Sequence, residues 1–250
     1  MLVRFFEWFG DLGMFCARLA RSAFRPPFEL RELVHQLDEV GSRSAPLVAL
    51  AGAATGVVLS LETRDSLLRF GAKSFLPAVI VISIIKESGP IITALVVSGR
   101  MGAGIGAELA SMKVTDQIDA IEASAVDPYK YLVATRVAAC VLMLPLLTLV
   151  ADFCGILFGW VTNTLMEPTS LRLFTATGFH NLGFNDFLPP TIKTAVFGLI
   201  IGLVACFQGM RASGGAQGVE RATTNSVVVA SLFIILADVV LVRFILVFFP

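Results

Sequence analysis

Two adjacent ionisable residues, Lys86 and Glu87, interrupt an apolar stretch that runs from Phe75 to Ser98. A charge at membrane depth is costly and usually faces a partner or a wet cavity, so both are candidates for a polar binding site. Gly89-Pro90 follows directly and should kink the helix, which would open backbone polar groups at the same level. The plainer alternative is that both residues pair with another helix for structural reasons alone.

Catalytic chemistry is not indicated anywhere in the chain. His35 and His180 fall in segments predicted on opposite sides of a membrane, so they cannot join one site, and neither a His-Glu-x-x-His nor a Gly-x-Ser-x-Gly motif occurs. The four cysteines are scattered without the spacing of a metal or redox site. We therefore predict a chain that is not an enzyme and that holds no metal or cofactor of its own.

A stripe of small residues recurs every fourth position, which places its members on one helix face: Ala94, Ser98, Gly102, Gly106 and Ala110. In a membrane such a face lets another helix approach closely, because helix association there depends on packing. Gly102-x-Gly104-x-Gly106 lacks the spacing of a phosphate-binding loop, and no strand precedes it. The stripe therefore predicts helix packing.

A polar segment from Met112 to Asp127 separates two apolar runs. Its acidic residues Asp116, Asp119 and Glu122 alternate with apolar ones, and Asp127-Pro128 should end the helix. Such an amphipathic helix can dock into a groove on a partner protein, and Ile118 is a candidate for its apolar face. The alternative is a solvated connector.

The elements that carry these residues are membrane spans. The chain of 250 residues is 56% hydrophobic and only 15% charged, and its mean hydropathy is +0.82. Its net charge of zero gives no reason to expect nucleic acid as a partner. A span needs about 20 apolar residues, and five segments approach or meet that length: Pro46 to Leu61, Phe75 to Ser98, Val137 to Val161, Ala195 to Met210 and Val227 to Phe249.

Charge placement predicts the orientation of these spans. With the N-terminus inside, the cytoplasmic segments hold Arg4, Arg18, Arg21, Arg25, Arg31, Arg43, Arg100, Lys113, Lys130, Arg136, Arg211 and Arg221. The outer loops then hold fewer cations, namely Arg64, Arg69, Lys73, Arg172 and Lys193. This excess of inner cations favours a cytoplasmic N-terminus and an outer C-terminus.

The segment before the first span alternates charged and aromatic residues at helical spacing. Arg4, Glu7, Asp11, Arg18, Arg21 and Arg25 recur every three, four or seven positions, and Phe5, Phe6, Trp8, Phe9, Leu12, Phe15 and Leu19 fill the remaining surface. This pattern predicts an amphipathic helix lying in the inner membrane interface, and Pro26 and Pro27 should end it.

The chain also resembles the MlaE/YrbE family of permeases from about residue 30 to 245. The motifs that carry the resemblance are Lys86-Glu87-Ser88-Gly89-Pro90, Gly99-Arg100-x-Gly102 through Ala107-Glu108, Ala125-Val126-Asp127-Pro128 with Arg136, Leu144-Pro145, and Gly218-x-x-Arg221-Ala222-Thr223-Thr224. Two positions depart from the family pattern. Many relatives carry Arg at position 86, and Arg243 matches no family feature.

The resemblance implies an all-α membrane protein with five transmembrane helices, preceded by an interfacial helix and carrying a cytoplasmic coupling helix around Asp116, Ile118, Asp119 and Glu122. Residues 1–45 would form the N-terminal interfacial helices and residues 46–250 the permease domain. Lys193 matches a basic position in the family and, with Lys86 and Glu87, would form the polar part of a lipid pocket. Asp238 is treated as structural.

The same resemblance implies a homodimer in the bacterial inner membrane. It would work with a cytoplasmic ATPase, which binds ATP and Mg, and with an MCE-domain protein on the periplasmic side. The expected function is movement of phospholipid or a related lipid between the inner membrane and that partner, as in systems that maintain outer-membrane lipid asymmetry.

Two other classes of function stay open at this point. A secondary transporter of a hydrophobic substrate, driven by ions through Glu87, Asp152 or Asp238, would account for the intramembrane charges but should show inverted repeats, and none is apparent. A membrane scaffold would account for the small-residue stripe but has no use for Lys86-Glu87.

Overall fold

The computed structural model describes residues 2–23, 29–180 and 182–248, in which all regular structure is helical and none is strand. Eleven α-helices occur in these ranges: α1 (Leu2–Ala23), α2 (Leu30–Gly41), α3 (Ala45–Arg69), α4 (Leu76–Ser83), α5 (Gly89–Val97), α6 (Ala103–Val114), α7 (Gln117–Ala123), α8 (Thr135–Met166), α9 (Leu171–Phe179), α10 (Phe184–Met210) and α11 (Ala216–Phe248). A 3₁₀ turn covers Lys73–Phe75, and three π-helical turns cover Ile84–Ser88, Ser98–Gly102 and Tyr129–Ala134.

Five helical runs are long and apolar enough to cross a membrane, which confirms the predicted all-α fold with five spans. They are Leu30–Arg69, Lys73–Val114, Tyr129–Met166, Asp186–Met210 and Ala216–Phe248. The loop between the second and third runs carries α7, and α1 precedes the first run.

The fourth span starts earlier than hydropathy predicts. The apolar run begins at Ala195, whereas α10 already begins at Phe184 and contains Pro189 and Pro190 near its start. Both prolines lie in the second turn of α10, where neither can donate an N–H to the carbonyl four residues earlier. Lys193 therefore lies inside the fourth span and not in the outer loop, where the count of loop charges had placed it.

The second span is interrupted where Gly89-Pro90 was predicted to disturb it. A π-helical turn, Ile84–Ser88, ends immediately before Gly89, whose N–H donates to the Ile84 carbonyl. Pro90 has no N–H and its ring crowds the carbonyl four residues earlier, so the wider turn relieves that conflict. Lys86 and Glu87 lie within this turn.

The chain divides into two compact units, each described by itself. The first comprises Met1–Val40, Ser98–Met143 and Gly198–Phe233, and the second comprises Gly41–Val97, Leu144–Phe197 and Ile234–Pro250. The small-residue stripe, the polar segment Met112 to Asp127 and α1 belong mainly to the first unit, whereas Lys86 and Glu87 of the second span belong to the second.

In the first unit the small-residue stripe packs against helices of the same chain. A Cβ added at Gly106 would collide with the Ser226 side chain on α11, and one at Gly102 would come within 4.0 Å of Ile201 on α10. The Ser98 and Ser231 hydroxyls lie 3.4 Å apart. At these positions the close approach predicted for the stripe is made by helices of the same chain.

Helix α1 packs its aromatic side chains onto the first unit. The Phe15 ring lies 5.5 Å from those of Tyr129 and Phe207, and the Trp8 ring lies 5.5 Å from Phe207. The Asp11 carboxylate pairs with Arg211 at 2.6 Å. The Arg4 side chain and the segment Arg25, Pro26 and Pro27 lie outside the described residues. A place for α1 at the membrane surface stays a prediction.

In the second unit α3 and α8 approach each other through glycine. A Cβ at Gly52 would meet the backbone of Ala151, and one at Gly56 would meet the backbone of Gly155. Beside them, α4 and α9 form a buried apolar core with members Leu76, Ile80, Val81, Ile84, Ile85 and Phe174. This core fixes the start of the π-turn that carries Lys86 and Glu87.

Replacing Gly106 with Leu should destabilise the first unit by about 1–3 kcal/mol, the usual cost of overpacking a filled interior site. Gly104 on the same helix is the matched control, because no atom lies within 4 Å of an added Cβ there. Thermal unfolding of the two purified variants measures the difference. Equal unfolding midpoints for Gly106→Leu and Gly104→Leu would contradict the packing described for the stripe.

Candidate functional site

A cluster of charged side chains lies within the second unit, drawn from three spans. Its centre is the ammonium of Lys193 on α10, which donates to Glu87 Oε2 at 2.8 Å and to Asp238 Oδ1 at 3.0 Å. Only 2% of the Lys193 side-chain surface is exposed. One buried cation therefore joins the π-turn of the second span to α10 and α11.

A second ion pair adjoins this centre at the start of α10. Lys86 Nζ lies 2.6 Å from Asp186 Oδ1, and Asp186 also accepts the N–H of Gly183 at 2.9 Å. Glu87 and Lys86 keep 45% and 44% of their side-chain surfaces exposed. Two basic and three acidic side chains thus face one another, so the cluster is nearly charge-balanced.

Four members of the cluster, Lys86, Glu87, Asp186 and Lys193, line a cavity of about 70 Å³. Apolar side chains complete the wall: Pro190, Val242, Ile245 and Leu246. Since one water occupies about 30 Å³ in the liquid, this volume suits two waters or a small polar group, not a whole phospholipid. The cavity is therefore lined by both charged and apolar side chains.

Sequence reasoning chose Lys86, Glu87 and Lys193 but missed their partners. Asp186 stood in a segment taken for a loop, and Asp238 was treated as structural. Only the earlier start of α10 and the pairing of its Lys193 with α11 bring the two acids into the cluster. Arg243 is exposed and makes no ion pair within the described part of the chain. Lys193 was also expected to reach a lipid headgroup, whereas here both neighbouring carboxylates occupy it.

The polar segment Met112 to Asp127 is divided between two helices. Helix α6 ends at Val114 and α7 covers Gln117–Ala123, with Asp116 between them in a left-handed conformation at φ 56°. Asp116, Asp119 and Glu122 are exposed, and Asp119 accepts a hydrogen bond from Lys113 at 2.8 Å. Ile118 is only 3% exposed. It anchors α7 to its own unit, and a role of Ile118 in contact with a partner protein stays a prediction.

A groove of about 550 Å³ lies beside α7 in the first unit. Its walls carry mixed charges, namely Asp11, Arg18, Lys113, Asp119, Glu122, Asp127 and Arg211. Near it, Tyr129 N–H donates to Asp127 Oδ1 at 3.0 Å and Ser22 donates to Asp127 Oδ2 at 2.8 Å. The groove and the acidic face of α7 together form a polar surface outside the spans.

Two further motif residues meet in the first unit. Arg136 lies 2.8 Å from Glu108, and it donates to the Leu132 carbonyl at 3.0 Å. This pair ties the end of the second span to the start of the third. Within residues 2–23, 29–180 and 182–248, no group of His, Cys, Asp or Glu side chains is arranged to hold a metal ion.

Comparison with known proteins gives consistent matches over most of the chain. A family model described as "Permease MlaE" matches residues 33–244. A protein of Rickettsia felis named "Probable ABC transporter permease protein" is 36% identical over 236 residues, which cover 94% of this chain and 91% of that protein. Probable ABC transporter permease proteins of Synechocystis and of Pyropia yezoensis are 32% and 34% identical, over 83% and 85% of this chain and 79% and 81% of theirs.

Replacing Lys193 with Met should be strongly destabilising. Removing one partner of a buried ion pair leaves an uncompensated charge, which typically costs about 3–5 kcal/mol. Thermal unfolding in detergent measures the loss, and neutralising both acids as well, in the triple variant Glu87→Gln, Lys193→Met, Asp238→Asn, should recover much of it. The control is Lys73→Met, which removes a half-exposed pair with Glu167 and should have little effect. Equal stability of the two lysine variants would show that Lys193 is not held as described.

Proposed function

Since the chain belongs to the MlaE permease family of ABC transporters, we propose that it moves phospholipid or a related lipid between the membrane and an MCE-domain partner. The observation that carries this proposal is the charge-balanced cluster of Lys86, Glu87, Asp186, Lys193 and Asp238 beside an apolar wall. A lipid presents a charged headgroup and apolar chains to its carrier, and this site offers complementary surfaces to both.

Within the proposed site the polar residues have different roles. Lys86 and Glu87 are half-exposed and carry the charges that a headgroup can reach. Lys193 is buried and holds Glu87 in place through its ammonium, which also donates a hydrogen bond to Asp238. We therefore assign headgroup contact to Lys86 and Glu87 and positioning to Lys193 and Asp238.

The cavity is too small for a complete lipid, which supports a pocket built from two copies of the chain. The span formed by α11 is the most apolar of the five. Only 6% of its most apolar stretch of 18 residues is buried within the chain. Large exposed patches of this kind mark contact with lipid or with another protein. In a homodimer, part of this surface would enlarge the apolar part of the lipid pocket.

The energy for transport is proposed to come from a separate cytoplasmic ATPase that binds ATP and Mg. No phosphate-binding loop motif occurs in the sequence. The exposed acids of α7, together with the adjoining groove, form the surface we propose for docking that ATPase. Movement of α7 would reach the spans through its buried residue Ile118.

The proposed orientation has the N-terminus on the cytoplasmic face of the bacterial inner membrane. The excess of Lys and Arg in the segments that this orientation places inside supports it, and moving Lys193 into a span lowers the outer count further. The MCE-domain partner would then contact the opposite face, near α9 and the 3₁₀ turn Lys73–Phe75.

The transport function is tested by reconstituting the complex of this chain and its ATPase in vesicles that contain labelled phospholipid. We expect ATP-dependent lipid transfer that Glu87→Gln lowers severalfold while the complex stays intact, because the headgroup loses a charged partner. Asp65→Asn, an exposed acid at the far end of α3, is the control and should transfer normally. Transfer driven by an ion gradient without ATP would instead support a secondary transporter.

The docking surface is tested by charge reversal. Changing Asp116 and Glu122 to Lys should weaken ATPase binding by about a few kcal/mol, because like charges would then face each other across the contact. Asp119 is left unchanged, since it already pairs with Lys113. Co-purification of the ATPase with the folded permease is the measurement, and Glu62→Lys with Asp65→Lys is the matched control. Undiminished binding by the α7 variant would show that α7 is only a connector.

A further inference from the structure

Another acidic side chain inside the spans, Asp152 on α8, has no hydrogen-bond partner among the residues that the structure describes. Its residue surface is only 4% exposed, and neither carboxyl oxygen has a hydrogen-bond donor within reach in the described part of the chain. Glu87 and Asp238, by contrast, both pair with Lys193. An ionised carboxylate without a donor in such surroundings is very unfavourable, and buried polar groups in proteins are almost always paired.

The carboxyl group of Asp152 lies directly against the backbone of Gly89. A Cβ added at Gly89 would collide with Asp152 Oδ1 and would also lie 2.9 Å from the Ile84 carbonyl oxygen. The acid and the last part of the π-turn therefore occupy the same small space. The Ile84 carbonyl oxygen accepts hydrogen bonds and cannot donate them.

At this point the backbone carbonyl oxygens of the π-turn can accept further hydrogen bonds. Pro90 has no N–H, so the carbonyl that an α-helix would pair with it, that of Lys86, loses its usual donor. The Ile84 carbonyl accepts the Gly89 N–H and keeps a second lone pair. An acid that retains its proton can donate to such an oxygen, whereas a carboxylate can only repel it.

We propose that the Asp152 side chain is a protonated, neutral carboxylic acid whose O–H donates a hydrogen bond to a backbone carbonyl of the π-turn. Asp152 would thereby act as a positioning residue for Lys86 and Glu87. The neutral acid replaces the donor that Pro90 lacks and thereby fixes the turn that carries both side chains. A metal cation bound by the carboxylate is the competing occupant, but no group of His, Cys, Asp or Glu side chains in the described part of the chain is arranged to hold one. The only charged side chains on the turn, Lys86 and Glu87, are engaged with Asp186 and Lys193.

Infrared spectroscopy of the purified protein at neutral pH tests the protonation directly. We expect the C=O stretch of a protonated carboxylic acid, shifted by isotope-labelled aspartate, lost in Asp152→Asn and retained in Asp238→Asn. Absence of this band from the wild-type protein would overturn the proposal whether or not any variant folds. Its disappearance on addition of sodium or another cation would also overturn it, because the carboxyl would then be an ion ligand.

Paired substitutions test the positioning role. Asp152→Asn can still donate to the carbonyls and should keep the thermal midpoint and the lipid transfer of the wild type, whereas Asp152→Leu, of similar size, should lower both. Gly89→Ala should be destabilising, and Asp152→Ala should relieve part of that loss by emptying the space that the new methyl group needs. Gly99→Ala, where nothing lies within 4 Å of an added Cβ, is the control. Equal losses in the Asn and Leu variants would overturn the role of the donated hydrogen bond. The band and the midpoint do not depend on the transported substrate, so they stand apart from the test of lipid transfer.

Discussion

The membrane-embedded site depends on one physical requirement, that the ammonium of Lys193 be neutralised where it is buried. A lysine at membrane depth is tolerated only with partners, because the surroundings do not solvate its charge. Glu87 and Asp238 meet that requirement at 2.8 and 3.0 Å. As each partner comes from a different span, the pairing also fixes the relative rotation of the π-turn, α10 and α11. The position of Lys86 follows from that of its neighbour Glu87.

The rest of the packing relies on close contact between backbones. Lipid tails are as apolar as the side chains that face them, so spans gain little by hiding apolar surface from one another. Small residues let helices approach until dispersion contacts become numerous, as Gly52 and Gly56 do against α8 and Gly106 does against α11. Such contacts tolerate no added methyl group, and they hold the frame in which the ion pairs can keep their short distances.

The fold was largely predictable from sequence, because a span needs a long apolar run and five such runs are plain. The boundaries of the spans were less predictable than their number. Polar residues such as Asp186 and Lys193 lower the local hydropathy at the start of α10, although their charges are satisfied by pairing inside the protein. Hydropathy is a property of single residues and contains no information about partners. For the same reason the sequence indicated Lys86 and Glu87 but gave no means of finding Asp186 or of joining Asp238 to Lys193.

The placement of Ile118 shows a further limit of pattern reading. An apolar residue within a polar amphipathic helix is expected both when the helix docks on a partner and when it docks on its own chain. In this chain Ile118 is only 3% exposed, and the acids of α7 form its outward surface. This arrangement suits a transmitting element better than an apolar docking face would. In the proposed docking role, a contact made through charges could form and break in water at small cost, while the buried Ile118 would keep α7 attached to its unit.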